Sequence, residues 1–254
     1  QDSNLTSALS MANQFVADGS KLYVWVPDAS NPVTYYGAVT ITGGNAVFQT
    51  FWNGGHYLRI FGLRFEDCYP LKLSYASNSA TDVKGFELAY CQFYRTISVF
   101  LRNGQMEATA REFETSVHDC EFLSLPHTGI RHSGISGTSG NTHSWEVYRN
   151  RVIGANLSAS YGGGLLYNQA IGGTKHHAWG NYGYDCRNGA GTGGLTYATG
   201  AAQIDGSFIY FDIGVDTAVA WANIAERCGM GFQGNRMIRC HYVGNLAIDC
   251  GSFG

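Results

Sequence analysis

Lysine, proline and charge are all scarce in this chain. Among 254 residues there are four lysines (Lys21, Lys72, Lys84 and Lys175) and four prolines, and 14% of residues are charged, for a formal net charge of -3. Such a composition lacks the basic field that gathers phosphate backbones, which argues against nucleic acid as a partner. No apolar run approaches the roughly 18 residues of a membrane span. Seven cysteines are present, none in the C-x-x-C spacing of metal or redox sites. Walker loops, dinucleotide fingerprints and serine elbows are missing too, because the glycine clusters at 162–164 and 191–194 have no Lys-Ser/Thr pair behind them. What is abundant is glycine (34), tyrosine (16) and phenylalanine (14), the mixture expected of strands joined by tight turns. The length and the 44% hydrophobic content suffice for one large core, so a single body is expected.

A repeat organises these residues. The stretch "ANIAERCGMGF" (222–232) aligns with "GNLAIDCGSFG" (244–254) as small-Asn-apolar-Ala-x-x-Cys-Gly, setting Asn223 and Asn245 22 residues apart. "GNYGYDC" (180–186) keeps the same Asn and Cys offset, and the 42 residues from Asn181 to Asn223 leave room for two coils of that size. Earlier copies carry Cys in place of Asn, at Cys68, Cys91 and Cys120, before Asn150 restores it in "EVYRNRVIG" (146–154). A period in the low twenties with short strands indicates a solenoid, one coil per repeat. A second strand of each coil reads as "GIRH" (129–132), "GLLY" (164–167), "GLTY" (194–197) and "AVAW" (218–221). Stacked in register, these would form an aromatic column of His132, Tyr167, Tyr197 and Trp221 beside an aliphatic column of Ile130, Leu165, Leu195 and Val219. The cysteines, Cys186, Cys228, Cys240 and Cys250 included, then read as small buried hydrophobes, and the ladder residues Cys68, Cys91, Cys120, Asn150, Asn181, Asn223 and Asn245 as structural.

These motifs resemble the right-handed parallel β-helix group, the pectin-lyase-like superfamily, across roughly residues 38–254. The resemblance implies an all-β fold, a right-handed parallel β-helix of roughly 21–31-residue coils, with Asn ladders at an inward turn. Residues 1–37 would form a cap and first strand, since "SALSMANQFVADG" (7–19) has apolar residues at helical spacing, as in a short capping helix. The last coil looks uncapped, its strand edge left for a downstream segment or a second subunit to cover.

Chemistry is less plainly written. β-Elimination of an acidic polysaccharide needs a base, a cation for the uronate carboxylate and an acid for the leaving oxygen. The best cationic cluster is "PHTGIRHSG" (126–134) with "GGTKHHAWGN" (172–181). "IRHSG" is similar to the Leu-Arg-His-Gly element of the chondroitinase B-like and alginate lyase family, which assigns a catalytic role to Arg131. Ser133 interrupts the motif, and no lysine lies between Lys84 and Lys175 to match that family's upstream base. Arg131, His132 and Lys175 are the catalytic candidates. His127 and His177 are candidates for substrate contact, with Tyr161, Tyr182 and Tyr184 as rings on which sugars could stack. Asp205, Asp212 and Asp216 in "IDGSFIYFDIGVD" (204–216) are candidates for a Ca²⁺ site or paired-carboxylate hydrolysis. Each has a plainer alternative: alternation turns Arg131 outward, His132 packs in its column, and the aspartates are solvated turn residues. The paired-aspartate signature of polygalacturonases and the Arg-x-Pro-x-x-Arg element of pectate lyases are absent.

The expectation is therefore a secreted or cell- or virion-surface subunit of a filament, spike or adhesin, touching polysaccharide and self-associating through the open last coil. The alternative is a polysaccharide lyase, or less readily a glycoside hydrolase, acting on an acidic polymer.

Overall fold

A computed structural model describes residues 15–18, 21–24, 39–42, 46–52, 59–75, 83–102, 112–135, 142–155, 157, 164–171, 175–186, 207–212 and 214–251. The described architecture is all-β, with three parallel sheets through which the chain passes in rotation. Sheet A comprises Arg59–Phe61, Val83–Ala89, Glu112–His118, Thr142–Tyr148, Lys175–Trp179, Ala218–Trp221 and His241–Val243. Sheet B comprises Val39–Thr42, Leu63–Glu66, Gln92–Tyr94, Glu121–Leu123, Arg151–Ala155, Tyr182–Cys186, Ile224–Glu226 and Leu246–Ile248. Sheet C comprises Ala46–Trp52, Tyr69–Tyr75, Val99–Arg102, Ile130–Ile135, Leu166–Ile171, Ser207–Phe211 and Met230–Gly234. One passage through A, B and C makes a rung, and each strand pairs with its equivalents in the rungs before and after.

The expected helix over 7–19 gives way at its end to a strand. Phe15–Asp18 pairs antiparallel with Lys21–Val24, Asp18 opposite Lys21, while residues 7–14 lie outside the described residues. The intervening Gly19-Ser20 sequence is hairpin chemistry, and Phe15-Val16 favours extended backbone over helix.

Each A-to-B corner is built the same way. A residue in the left-handed region comes first (Gly62, Tyr90, Asp119, Arg149, Gly180, Ala222, Gly244). Its N–H still donates to the next rung, as from Asp119 to the Tyr148 carbonyl at 3.2 Å, so the ladder turns the corner unbroken. The next residue points inward and forms a column: Cys91, Cys120, Asn150, Asn181, Asn223 and Asn245. Asn181 Oδ1 accepts from the Asn150 N–H at 2.9 Å, and Asn181 Nδ2 donates to the Val147 carbonyl at 2.9 Å and to Asn223 Oδ1 at 2.9 Å. Asn150, Asn223 and Asn245 repeat the donation to the carbonyls of Val117, Ala178 and Ala220. Cysteine does the same work more weakly, Cys120 Sγ donating to Leu88 O at 3.6 Å and Cys91 Sγ to Ile60 O at 3.8 Å. The Cys-for-Asn exchange along the repeat thus preserves a donor aimed at the preceding rung.

Three expectations are corrected by the register. Cys68 lies beyond Glu66 at the B-to-C corner, in the column that continues as Thr96, Leu125, Ala155, Cys186, Cys228 and Cys250, not with Cys91 and Cys120. Asn181 bonds directly to Asn223, so the 42 residues between them form one rung with an insertion and not two coils. "GLTY", with Leu195 and Tyr197, falls in that insertion, outside the described residues. Finally, His132 pairs with Asn168, not Tyr167, and Ile130 with Leu166, not Leu165, a one-residue slip that moves every side chain to the other face. "AVAW" belongs to sheet A, where Val219 pairs with His177 and Trp221 with Trp179.

The core is built of inward columns. In sheet B, Phe65, Phe93 and Phe122 stack at 5.0 and 4.7 Å between centroids. The column then narrows through Val152 to Gly183 and Ala225. Phe208, fully buried on sheet C, fills the space left at Gly183, where an added Cβ would overlap its ring. Gly183→Ala is therefore expected to destabilise by about 1–3 kcal/mol through overpacking. Urea unfolding of Gly183→Ala, with Phe208→Leu as the relieving second change, checks this.

Candidate functional site

Alternation along the strands distributes the candidate residues over different faces. Arg131 is exposed on the outer face of sheet C, its guanidinium carbon 5.5 Å from the centroid of the Tyr167 ring. His132, the next residue, is fully buried: its Nδ1 lies 3.3 Å from Asn168 Oδ1, with the Trp145 ring edge-on at 5.0 Å and the His176 ring at 6.1 Å. Lys175 is exposed at the start of its strand in sheet A. The three catalytic candidates occupy an outer face, the core and a second sheet. His127 is exposed ahead of the Ile130 strand, its imidazole pushed below the ordinary value by partial desolvation and by Arg131. His177 faces outward on sheet A, its Nδ1 3.7 Å from Glu146 and its ring edge-on to Trp221 at 5.4 Å. His176 is buried, as alternation requires of adjacent strand residues.

The carboxylates divide as well. Asp212 is buried and accepts from the hydroxyls of Tyr167 (2.8 Å) and Tyr210 (3.0 Å) and from Asn235 Nδ2 (3.1 Å). Burial and this carboxylate together push the Tyr167 phenol far above its ordinary value. Asp216 instead pairs with Arg239 and accepts from the Thr217 hydroxyl at 3.1 Å, and Arg239 holds its carboxyl below the usual range. Asp205 lies outside the described residues, which contain no group of three or more His, Cys, Asp or Glu able to hold a metal ion. The Asp212 and Asp216 carboxylates are thus each committed to separate protein donors.

Of the tyrosines expected to stack on sugars, Tyr161 lies outside the described residues. Tyr182 and Tyr184 are half-buried on the outer face of sheet B. The Tyr182 hydroxyl donates to Glu226 Oε2 at 2.8 Å, which pushes the phenol up, and Arg227 sits 5.9 Å from the Tyr184 ring.

Sequence reasoning missed an outward ladder of rings on sheet A. His118, Tyr148, Trp179 and Trp221 occupy successive rungs with centroid separations of 4.5, 4.5 and 5.8 Å and interplanar angles of 5°, 1° and 14°. Each of these rings stands two residues before a member of the Cys/Asn column, in His-Asp-Cys, Tyr-Arg-Asn, Trp-Gly-Asn and Trp-Ala-Asn. That spacing was the available signal. Because the rings cover one another's faces, sugar stacking on their faces is blocked within the ladder. At its upper end His118 joins two carboxylates, Nδ1 2.7 Å from Asp119 and Nε2 2.9 Å from Glu87. Asp119 also receives two bonds from Arg149, at 2.9 and 2.6 Å, and Arg149 lies over the Tyr148 ring at 5.0 Å.

No family model, curated protein or solved structure matches this chain. No helix among the described residues is long and apolar enough to cross a membrane.

The Arg149 bond, with help from His118, holds the Asp119 carboxyl below its usual range. A carboxylate depressed on folding contributes stability above its unfolded value of about 3.9, and that contribution is lost as pH falls through the folded value. Asp119→Asn is expected to be less stable at neutral pH and to lose less stability below about pH 4 than the parent. Acid unfolding curves for both proteins check the sign.

Proposed function

We propose that this chain is a right-handed parallel β-helix of pectin-lyase-like type, working outside the cell or on a virion as a subunit of a surface assembly in contact with polysaccharide. The three-sheet rotation and the inward Asn column support the β-helix reading. The assembly reading rests on one observation, the cluster of exposed aliphatic side chains on the outer faces of sheets A and B in the last two rungs.

In the upper rungs these faces carry compensated charge: Arg59 with Glu87, Arg95 with Glu66 and Asp67, Arg151 with Glu121. In the last two rungs Ile224 and Leu246 continue the Glu121–Arg151 column, Ile248 the Glu66 column and Val243 the column of Phe61 and His118, exposed by 38, 50, 38 and 57%. They share this corner with the half-buried Trp221, Tyr182 and Tyr184. These side chains belong to outward columns, so a further rung stacked below would leave them facing away from the core. Clustered aliphatic and aromatic side chains bordered by arginine and glutamate have the composition of a protein interface. Such a face is suited to a second subunit.

Sedimentation velocity over a wide concentration range tests this. The parent is expected to self-associate, and Leu246→Glu and Ile248→Glu to remain monomeric with unchanged far-UV circular dichroism. A parent that stays monomeric throughout overturns the reading.

A further inference from the structure

The outer face of sheet B is bounded by two corners at which the sign of charge changes from rung to rung. Eight strands build the sheet, and Glu121–Leu123 and Arg151–Ala155 are the middle two. At the A-to-B corner Asp119 is followed one rung on by Arg149, and beside them Glu121 is followed by Arg151. At the B-to-C corner the left-handed residues run Asp67, Arg95, Ser124, Gly154, Asp185 and Arg227, one per rung. Read backwards, this order of signs is the complement of itself. Between the corners the centre of the face is apolar and aromatic, with half-buried Leu123 and Ile153 on the middle rungs and Tyr94 and Tyr184 on the rungs outside them. The side chains of Arg149 and Arg151 are 51 and 53% exposed despite their internal ion pairs, so each guanidinium keeps donors for a second carboxylate.

We propose that sheet B recognises a second copy of this chain lying face to face with its stack reversed, about a two-fold axis between the Glu121 and Arg151 rungs. The proposal rests on the assembly reading above and adds the partner's orientation. Reversal sets Glu121 opposite Arg151 of the second copy and Asp119 opposite Arg149, each contact made twice by symmetry. At the other corner it sets Asp67 opposite Arg227 and Arg95 opposite Asp185. The pairs within each copy, Asp119 with Arg149 and Glu121 with Arg151, thus meet the same pairs inverted. Glu66 and Glu226 also fall opposite each other, but each is engaged at home, Glu66 by Arg64 and Arg95 and Glu226 by the Tyr182 hydroxyl. Moving the axis onto either middle rung brings Glu121 against Glu121 or Arg151 against Arg151. A parallel pairing, about an axis along the stack, sets Glu121 against Leu123 and Arg151 against Ile153. Only the reversed pairing keeps both the charged rim and the apolar centre, the anatomy of a specific interface. It also covers the exposed Leu246 and Ile248, whose strand meets the Val39–Thr42 strand of the second copy. With strands about 4.8 Å apart and about 3.3 Å per residue, the face measures roughly 34 Å by roughly 16 Å. Two such faces bury on the order of 1,000 Å², enough for a specific contact.

The test uses the whole chain under conditions where sedimentation shows it to self-associate; a parent that stays monomeric overturns the assembly reading and this one with it. In a mixture of isotopically light and heavy chains, the photo-crosslinker p-benzoylphenylalanine in place of Tyr94 is expected to label the Tyr182–Cys186 strand of the other copy. The same group in place of Tyr184 is expected to label the Gln92–Tyr94 strand. Crosslinks from Tyr94 to the other copy's Gln92–Tyr94 strand, crosslinks confined to sheets A and C, or none between associated copies overturn the orientation and leave self-association standing. Charge reversal supplies the second arm. Glu121→Arg and Arg151→Glu are each expected to weaken association at least about tenfold, and an equimolar mixture of the two to restore it, because every opposed pair then joins positive to negative. Variants that associate as the parent does, or a mixture no tighter than either variant alone, overturn the proposal. Circular dichroism and the melting temperature confirm that each variant keeps the fold, and recovery in the mixture separates a lost contact from a lost fold.

Discussion

Everything in this protein depends on hydrogen bonds that run from rung to rung without interruption. Parallel strands satisfy only their own sheet, and a chain that changes sheet must break the pattern or carry it around the bend. Here it is carried: a left-handed residue keeps its N–H on the ladder at each A-to-B corner, and an inward Asn or Cys reaches back to the carbonyl of the rung before. The amide groups of Asn150, Asn181, Asn223 and Asn245 are coupled end to end, so each side chain positions its neighbour and a buried polar column stays satisfied. The aromatic columns are consequences of this repeat, since identical placement on successive rungs brings like rings together whether they face the core or the solvent.

Much of this was legible in sequence because the corner demands particular residue types. Asn or Cys recurs where an inward donor is required, and so the spacing exposed the repeat and most of the column. Where the reasoning slipped, it did so for identifiable reasons. Cysteine serves at two corners, so chemical identity alone could not separate Cys68 from Cys91. Period alone could not tell a long insertion from an extra coil, and only the direct bond from Asn181 to Asn223 decides between them. "GLLY" beside "GIRH" offered two registers one residue apart, and the glycine shared by the motifs suggested the wrong one.

The candidate site was less readable, because proximity across rungs is not proximity in sequence. Arg131 and His132 are neighbours in the chain yet lie on opposite faces, while Tyr167 and Asp212, 45 residues apart, share a hydrogen bond. A motif that runs along one strand cannot define a site here. Chemistry accumulates down a column, one residue per rung, and becomes visible only once the register is known. On sheets A and B the outer faces then show ion pairs and apolar side chains arranged by rung.

The A-to-B corner has one more implication. From Ala89 onward the connection between sheets A and B is always two residues, whereas the connections from B to C vary, from the two residues between Glu66 and Tyr69 to the 20 residues between Cys186 and Ser207. Chain length is regulated at one edge and left free at the others. That edge acts as a hinge-less spine: it fixes the pitch of the whole stack, while loops elsewhere can lengthen, shorten or be replaced with little effect on pitch. New surface can therefore be grafted onto this scaffold by insertion, without renegotiating the core.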